Sequence, residues 1–267
     1  MGRRCTVWSH QTYLRFLKNG RGSGDLASYK PWITIHDFPS KGKVVRILGL
    51  KTNRIQHLLS QLEKIFFLIL DNTSAVEDIK EQFPLPLAQT QMIAAGLNVK
   101  HPIVNGFSYV ITTDFMYKCN GIWHAVQIKP SKELEKPRVM EKFAIEKAYY
   151  NKIGVDWKVL TEKDLPQEAA QNYYWLNSGE RLDVLIPEPD RQRRIKAAFL
   201  QMYGNYAIPF HTILKVIDED CGLRKGTAMQ LFKSCIINNE IAINPLEHIC
   251  LEEPRNVQNG FYQRDLI

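Results

Sequence analysis

Asp114 is followed, after twelve intervening residues, by Gln127-Ile128-Lys129. That order matches the Asp, x, Asp/Glu-x-Lys arrangement of metal-assisted phosphodiester hydrolysis, with one acid exchanged for an amide. Magnesium takes hard oxygen ligands, often one or two carboxylates, and completes its octahedron with phosphate and water. Asp114 offers one carboxylate and Gln127 only a neutral amide oxygen, so a second carboxylate is needed to balance a divalent ion. Glu63 is the candidate: on a helix it falls between Phe66, Phe67 and Leu70, the apolar side, where an ionised group is costly unless a cation compensates it. Lys129 would position the attacking water and steady the charged phosphate, an electrostatic role that needs no unusual pKa. Glu146 is a further acid that could reach the site. Each residue also has an ordinary explanation. Ser60-x-x-Glu63 is a capping box, Asp114 and Gln127 form a plain polar cross-strand pair, Lys129 is an edge charge, and Lys142 pairs with Glu146 at i,i+4.

These side chains meet only if the chain folds to bring them together. Residues 107–118 and 122–129 read as strands joined at Asn120-Gly121, the strongest hairpin signal in the sequence. A two-residue turn there pairs 119 with 122 and, further along, 114 with 127, while Lys129 projects from the same face about 6.7 Å beyond. The other face, with Thr113, Phe115, Val126 and Ile128, is expected to pack on helices. Ser60 opens a helix to about residue 71, and further helices are predicted over 9–17, 87–97, 138–152 and 167–177, with a strand over 155–160. Residues 44–50 and 54–59 form another hairpin with Lys51 at its tip. The pattern is an α/β layered domain.

Of the 35 basic and 28 acidic residues in 267, residues 1–54 hold 11 basic and 2 acidic. A basic N-terminal arm interleaved with Tyr13, Tyr29 and Trp32 suits a polyanion, and Arg21, Lys30, Lys51 and Arg54 are the expected contacts to a DNA backbone. The loop Gly20-Arg21-Gly22-Ser23-Gly24 could bring amides close to an anion, although no Lys-Ser/Thr follows to make it a P-loop. The five cysteines are odd in number and without a Cys-x-x-Cys pair, so they read as reduced thiols. No apolar run exceeds residues 65–70, far short of the ~20 residues of a bilayer span, so the chain reads as soluble and intracellular with no membrane partner.

The charged, Pro-containing stretch 180–194 is the expected boundary between a catalytic domain (1–180) and a smaller one (181–267). Helical patterns over 190–203, 208–219 and 225–238, followed by short strands over 241–243 and 248–251, suggest a winged helix, a module that binds DNA or protein.

Gly20-Arg21-Gly22, Tyr29-Lys30-Pro31-Trp32, the 57–63 and 78–85 segments, Lys100-His101-Pro102, Thr113-Asp114-Phe115 and Gln127-Ile128-Lys129-Pro130 together resemble the TnsA family, endonuclease subunits of heteromeric bacterial transposases. The resemblance spans residues 10–178. It implies a restriction-endonuclease-like core, with Glu63, Asp114, Gln127 and Lys129 in the family's catalytic positions and Glu146 as an accessory acid; the cofactor expected from the donor set of Glu63, Asp114 and Gln127 is Mg2+, with Mn2+ as a substitute. It also implies a cytoplasmic bacterial protein that cuts the 5′ ends of an element, on the non-transferred strand. Its partners would be double-stranded transposon ends, a TnsB-like transposase subunit and a TnsC-like ATPase contacted through the C-terminal module. Rival readings are a non-catalytic DNA-binding adaptor and a stand-alone restriction or repair nuclease.

Overall fold

The computed structural model describes residues 8–37, 44–205, 207–238, 240–249 and 251. Arg3, Arg4, Lys41 and Lys43 of the basic arm lie outside them, as do Cys5 and Cys250. Among the described residues Cys119, Cys221 and Cys235 form no disulfide.

The chain divides into two compact units, residues 1–165 and 166–267. In the first, Ser9 caps helix α1 (His10–Lys18) by accepting the Thr12 N–H. A hairpin of β1 (Val45–Leu48) and β2 (Ile55–Leu58) turns at residues 51–53, with Asn53 in the left-handed region. Helix α2 (Gln61–Asn72) leads into β3 (Val76–Pro84), then α3 (Leu87–Gly96). A small hairpin of β4 (Ile103–Val104) and β5 (Phe107–Ser108) follows, so the expected 107–118 run is broken in two. Next come β6 (Thr112–Cys119), β7 (Ile122–Ile128), α4 (Pro137–Ile153) and β8 (Asp156–Leu160). Pro137 sits in the first turn of α4, and Gly154, at φ 71°, ends that helix in the left-handed conformation that glycine adopts at low cost.

The central sheet has the order β3-β6-β7-β8, with β7 and β8 parallel across the α4 crossover and the other pairs antiparallel. Phe66, Phe67 and Leu70 of α2 pack with Phe115, Tyr117, Val126 and Ile128. Ala94 of α3 and Ile145, Tyr149 and Tyr150 of α4 form a second cluster with Leu85, Ile111 and Ala125. Helices on both sides of a mixed sheet make an α/β fold.

Strand β3 was not anticipated, because residues 77–82 read as polar. The burial of Asp78, Lys80, Glu81 and Gln82 is compensated from upstream. Arg54 forms a two-pronged salt bridge to Glu81, and Asp25 pairs with Lys80. Tyr29 donates its hydroxyl to the Glu81 carbonyl, and the Trp32 N–H donates to the Gln82 carbonyl. Buried charges paired in this way are tolerated inside a sheet.

The second unit is helical: α5 (Gln167–Leu176), α6 (Leu182–Leu185), α7 (Pro189–Tyr203), α8 (Phe210–Asp220) and α9 (Thr227–Ile237). Leu176 of α5 is buried with Phe199, Phe210 and Leu231, so α5 belongs to this core and the division falls before it rather than at 180. Asp218 caps α9 by accepting from the amides of Gly226 and Ala228. The three helices of the expected winged helix are present. Among the described residues of 241–251 no strand forms, and part of the second expected strand, residue 250, lies outside them. No helix among the described residues is long and apolar enough to cross a membrane.

Candidate active site

The β6–β7 turn places Asn120 and Gly121 both at positive φ, 48° and 79°, as a two-residue hairpin turn requires. Backbone pairing runs in the expected register from Cys119 opposite Ile122 to Phe115 opposite Val126. There it stops, and side chains take over. The Asp114 N–H donates to Gln127 Oε1 at 2.9 Å, and the Ile128 N–H donates to Asp114 Oδ2 at 2.8 Å. The strands part at Asp114, so a carboxylate and an amide oxygen stand where ladder carbonyls would otherwise be. Thr113, expected on the apolar face, instead donates its hydroxyl to Glu146 and accepts one from Tyr150 of α4.

Glu63 comes to the same place from α2. The Ser60 hydroxyl accepts the Glu63 N–H at 3.1 Å, which is half of a capping box. The reciprocal half is redirected: Glu63 Oε2 accepts the Leu59 N–H at 2.9 Å. The side chain is 5% exposed. Burial and then the charge of Asp114 push its pKa up to about 8, while backbone and hydroxyl donors and the Lys129 ammonium pull the other way.

A residue that the sequence did not single out joins the two acids. Gln82 Nε2 donates to Glu63 Oε2 at 3.4 Å and to Asp114 Oδ1 at 3.2 Å, while its Oε1 accepts from Thr112 Oγ1 at 3.1 Å. Gln82 is buried in the middle of β3 at φ 49°. Glutamine has no preference for that conformation, so no sequence signal could have marked it beyond its place in the 78–85 segment.

Lys129 extends β7 by donating its N–H to the Leu160 carbonyl at 3.0 Å, and its charge is felt at Glu63. Glu146 is fully buried, with Lys142 3.4 Å from Oε1 as an i,i+4 ion pair but not in hydrogen-bonding geometry, so Oε1 has no hydrogen-bond partner. Burial foremost, then Lys142 lowering and Asp114 raising it, leave its pKa pushed up to about 7. Glu63, Asp114 and Gln127 are thus linked by direct bonds or through Gln82. Lys129 and Glu146 lie within electrostatic range of them. Among the described residues no group of three or more His, Cys, Asp or Glu side chains forms a metal cluster.

The four expected DNA contacts divide. Arg54 is taken into the fold: its guanidinium binds Glu81 and the carbonyls of Leu26 and Ile79, with 8% of the side chain exposed. Arg21 binds Asp37 with two nitrogens, donates to the Trp32 carbonyl and lies 3.7 Å above the Phe16 ring. Lys30 is exposed, with its Nζ on the Asn19 carbonyl, and Lys51 is half-buried at the β1–β2 turn, where burial lowers its pKa. In the glycine loop the amides of residues 20–23 donate to backbone carbonyls, and a Cβ on Gly22 would come within 2.3 Å of Pro84. The loop packs on β3 and does not hold amides open for an anion.

Comparison with known proteins gives the family. Residues 73–162 match the TnsA-like endonuclease N terminal family, and residues 164–244 match the TnsA endonuclease C terminal family. The chain is 34% identical over 247 residues to the Transposon Tn7 transposition protein TnsA of Escherichia coli, covering 91% of this chain and 89% of that protein. The chain belongs to the TnsA endonuclease family. A TnsA-type chain is a DNA endonuclease subunit of a transposase. The two TnsA matches abut between 162 and 164, beside the division at 165/166. Gln82, Asp114, Gln127, Lys129 and Glu146 fall inside the N-terminal TnsA match, and Glu63 precedes it.

Proposed function

We propose that this protein hydrolyses the phosphodiester at the 5′ ends of a transposon, on the non-transferred strand, as the Mg2+-dependent nuclease of a bacterial cut-and-paste transposase in the cytoplasm. The observation that carries the reading is the pair Glu63 and Asp114. Both are buried, and both accept from the same amide, that of Gln82. Two carboxylates with the Gln127 amide oxygen are a hard-oxygen donor set of the kind magnesium takes, with Mn2+ as a substitute. A bound ion would polarise the scissile phosphate and ease ionisation of the attacking water.

The chain's own residues do the rest. Asp114 is held by the Ile128 N–H and Glu63 by the Leu59 N–H, so the carboxylates would receive a cation without rearranging the backbone. Lys129 would orient water and offset negative charge on the phosphate. Lys30 and Lys51 remain as contacts to the DNA backbone, which add affinity without sequence choice. Choice of ends would come from a TnsB-like partner, with a TnsC-like ATPase meeting the C-terminal unit. The winged-helix description of that unit stays part of this proposal.

The test is strand-specific mapping of nicks on a duplex carrying a transposon end, with and without the companion proteins and Mg2+. Wild-type protein is expected to cut the non-transferred strand only in the full assembly. Asp114→Ala should lower that cleavage by at least about 1,000-fold, since a ligand to the catalytic ion is lost, with assembly intact. Undiminished cleavage by Asp114→Ala removes the site assignment. Efficient cutting by the isolated chain makes it a stand-alone nuclease.

A further inference from the structure

Gln82 is the one site residue with a strained backbone. A non-glycine residue at φ 49° inside a strand is held there only when its surroundings over-determine it, and such strain gathers at functional positions. The surroundings are visible. Gln82 lies between Glu81, paired with Phe115, and Phe83, paired with Thr113; its carbonyl accepts the Trp32 N–H, and its side chain is pinned by Thr112. The orientation of its amide is dictated by charge: turned over, Oε1 would point at two carboxylates instead of accepting from a hydroxyl. Its Nε2 therefore puts partial positive charge between Glu63 and Asp114, which repel each other and lie no further apart than two hydrogen bonds end to end.

We propose that Gln82 is a positioning residue that stands in for the divalent cation: its amide holds Glu63 and Asp114 together in the metal-free protein and releases them when the cation arrives. This rests on the reading of those two acids as metal ligands. The amide nitrogen lies between Glu63 Oε2 and Asp114 Oδ1, where an ion bridging those two oxygens would sit. Cation binding therefore displaces an internal competitor, which weakens affinity for the ion but delivers the two acids already aligned. Thr112 remains as a tether, because a hydroxyl can donate to the amide oxygen or accept from its nitrogen.

Gln82→Met separates this role from a merely structural one, since methionine fills similar volume along an unbranched chain but has no donor. Full-length wild type and variant are titrated calorimetrically with MgCl2 and with MnCl2 at pH 8.5. The variant is expected to bind the cation about tenfold more tightly, the loss of one charge-assisted bond from the metal-free state, while its metal-free melting temperature falls. Equal or weaker binding by the variant overturns the proposal. Should wild type itself bind no cation, the metal site falls and the proposal with it, an outcome distinct from a wild type that binds and a variant that binds equally well. If Gln82→Met does not fold, the side-chain amide resonances of Gln82 in the wild type decide: they should shift as Mg2+ is added, and resonances unmoved at saturating Mg2+ overturn the proposal.

Discussion

Glu81 and Glu63 are sealed in the same unit, at 0% and 5% exposure, and their burial is compensated by opposite means. Glu81 has a full cation: Arg54 grips both carboxylate oxygens, and the His57 N–H adds a third donor. Glu63 has neutral donors from Leu59 and Gln82, a second acid beside it, and only a distant pull from Lys129. A buried acid that brings its own cation is part of the scaffold. One that is held in shape by neutral donors is the acid proposed to take a cation. The contrast explains why Arg54, expected at the DNA surface, lies inside.

Breaking the satisfied pair should have the largest effect on stability. Arg54→Met leaves Glu81 buried and unpaired and is expected to cost about 3–5 kcal/mol, measured by denaturant unfolding of the metal-free protein. Adding Glu81→Gln should recover most of that loss; no recovery would mean that the arginine acts through its contacts to Leu26, Ile79 and Tyr29.

The acid held by neutral donors should respond in the other direction. Because the folded pKa of Glu63 lies above its ordinary value of 4.5, its contribution is fully present at low pH and is lost as the pH rises through about 8. Glu63→Gln removes that penalty. Without metal, its melting temperature should match wild type near pH 4, then exceed it by a widening margin of several degrees up to about pH 8. A constant offset across that range would show that Glu63 is not held above its normal pKa.

Smaller effects belong to cations outside these pairs. Lys30→Ala and Lys51→Ala should each reduce the salt dependence of duplex binding by about one ion, with the metal requirement unchanged. Unaltered salt slopes would remove both from the DNA interface. Smallest of all is Asp25→Ala. Its carboxylate is 76% exposed, so losing the ion pair should leave stability unchanged in thermal melts, because Lys80 also lies over the rings of Tyr29 and Trp123.

The hairpin was legible because a turn with Asn-Gly chemistry fixes register by itself, and that register alone puts Asp114 beside Gln127. Glu63 was legible as an acid on an apolar helical stripe. Strand β3 was not, since its residues show no period-two apolar pattern and their burial depends on partners 24 to 55 residues away in sequence. The expectation of Arg54 at a DNA backbone meets the same obstacle: a cation paired internally and one left for DNA look alike until the fold is closed. Residue 182 opens a short helix that no periodicity announced, and the expected strand over 241–243 does not form, because three residues carry too little pattern to outweigh local turns.

The length of the Asn120-Gly121 turn governs chemistry at the far end of the hairpin. A Cβ at Gly121 would meet nothing within 4 Å, yet its φ of 79° is one that side chains other than glycine's adopt only under strain. An odd insertion is another matter. One extra residue in the connection would invert the parity of every downstream partner in β7, and the amide now beside Asp114 would be carried to the opposite side of the sheet. A turn remote from the candidate site thus sets which side chain of β7 stands beside Asp114.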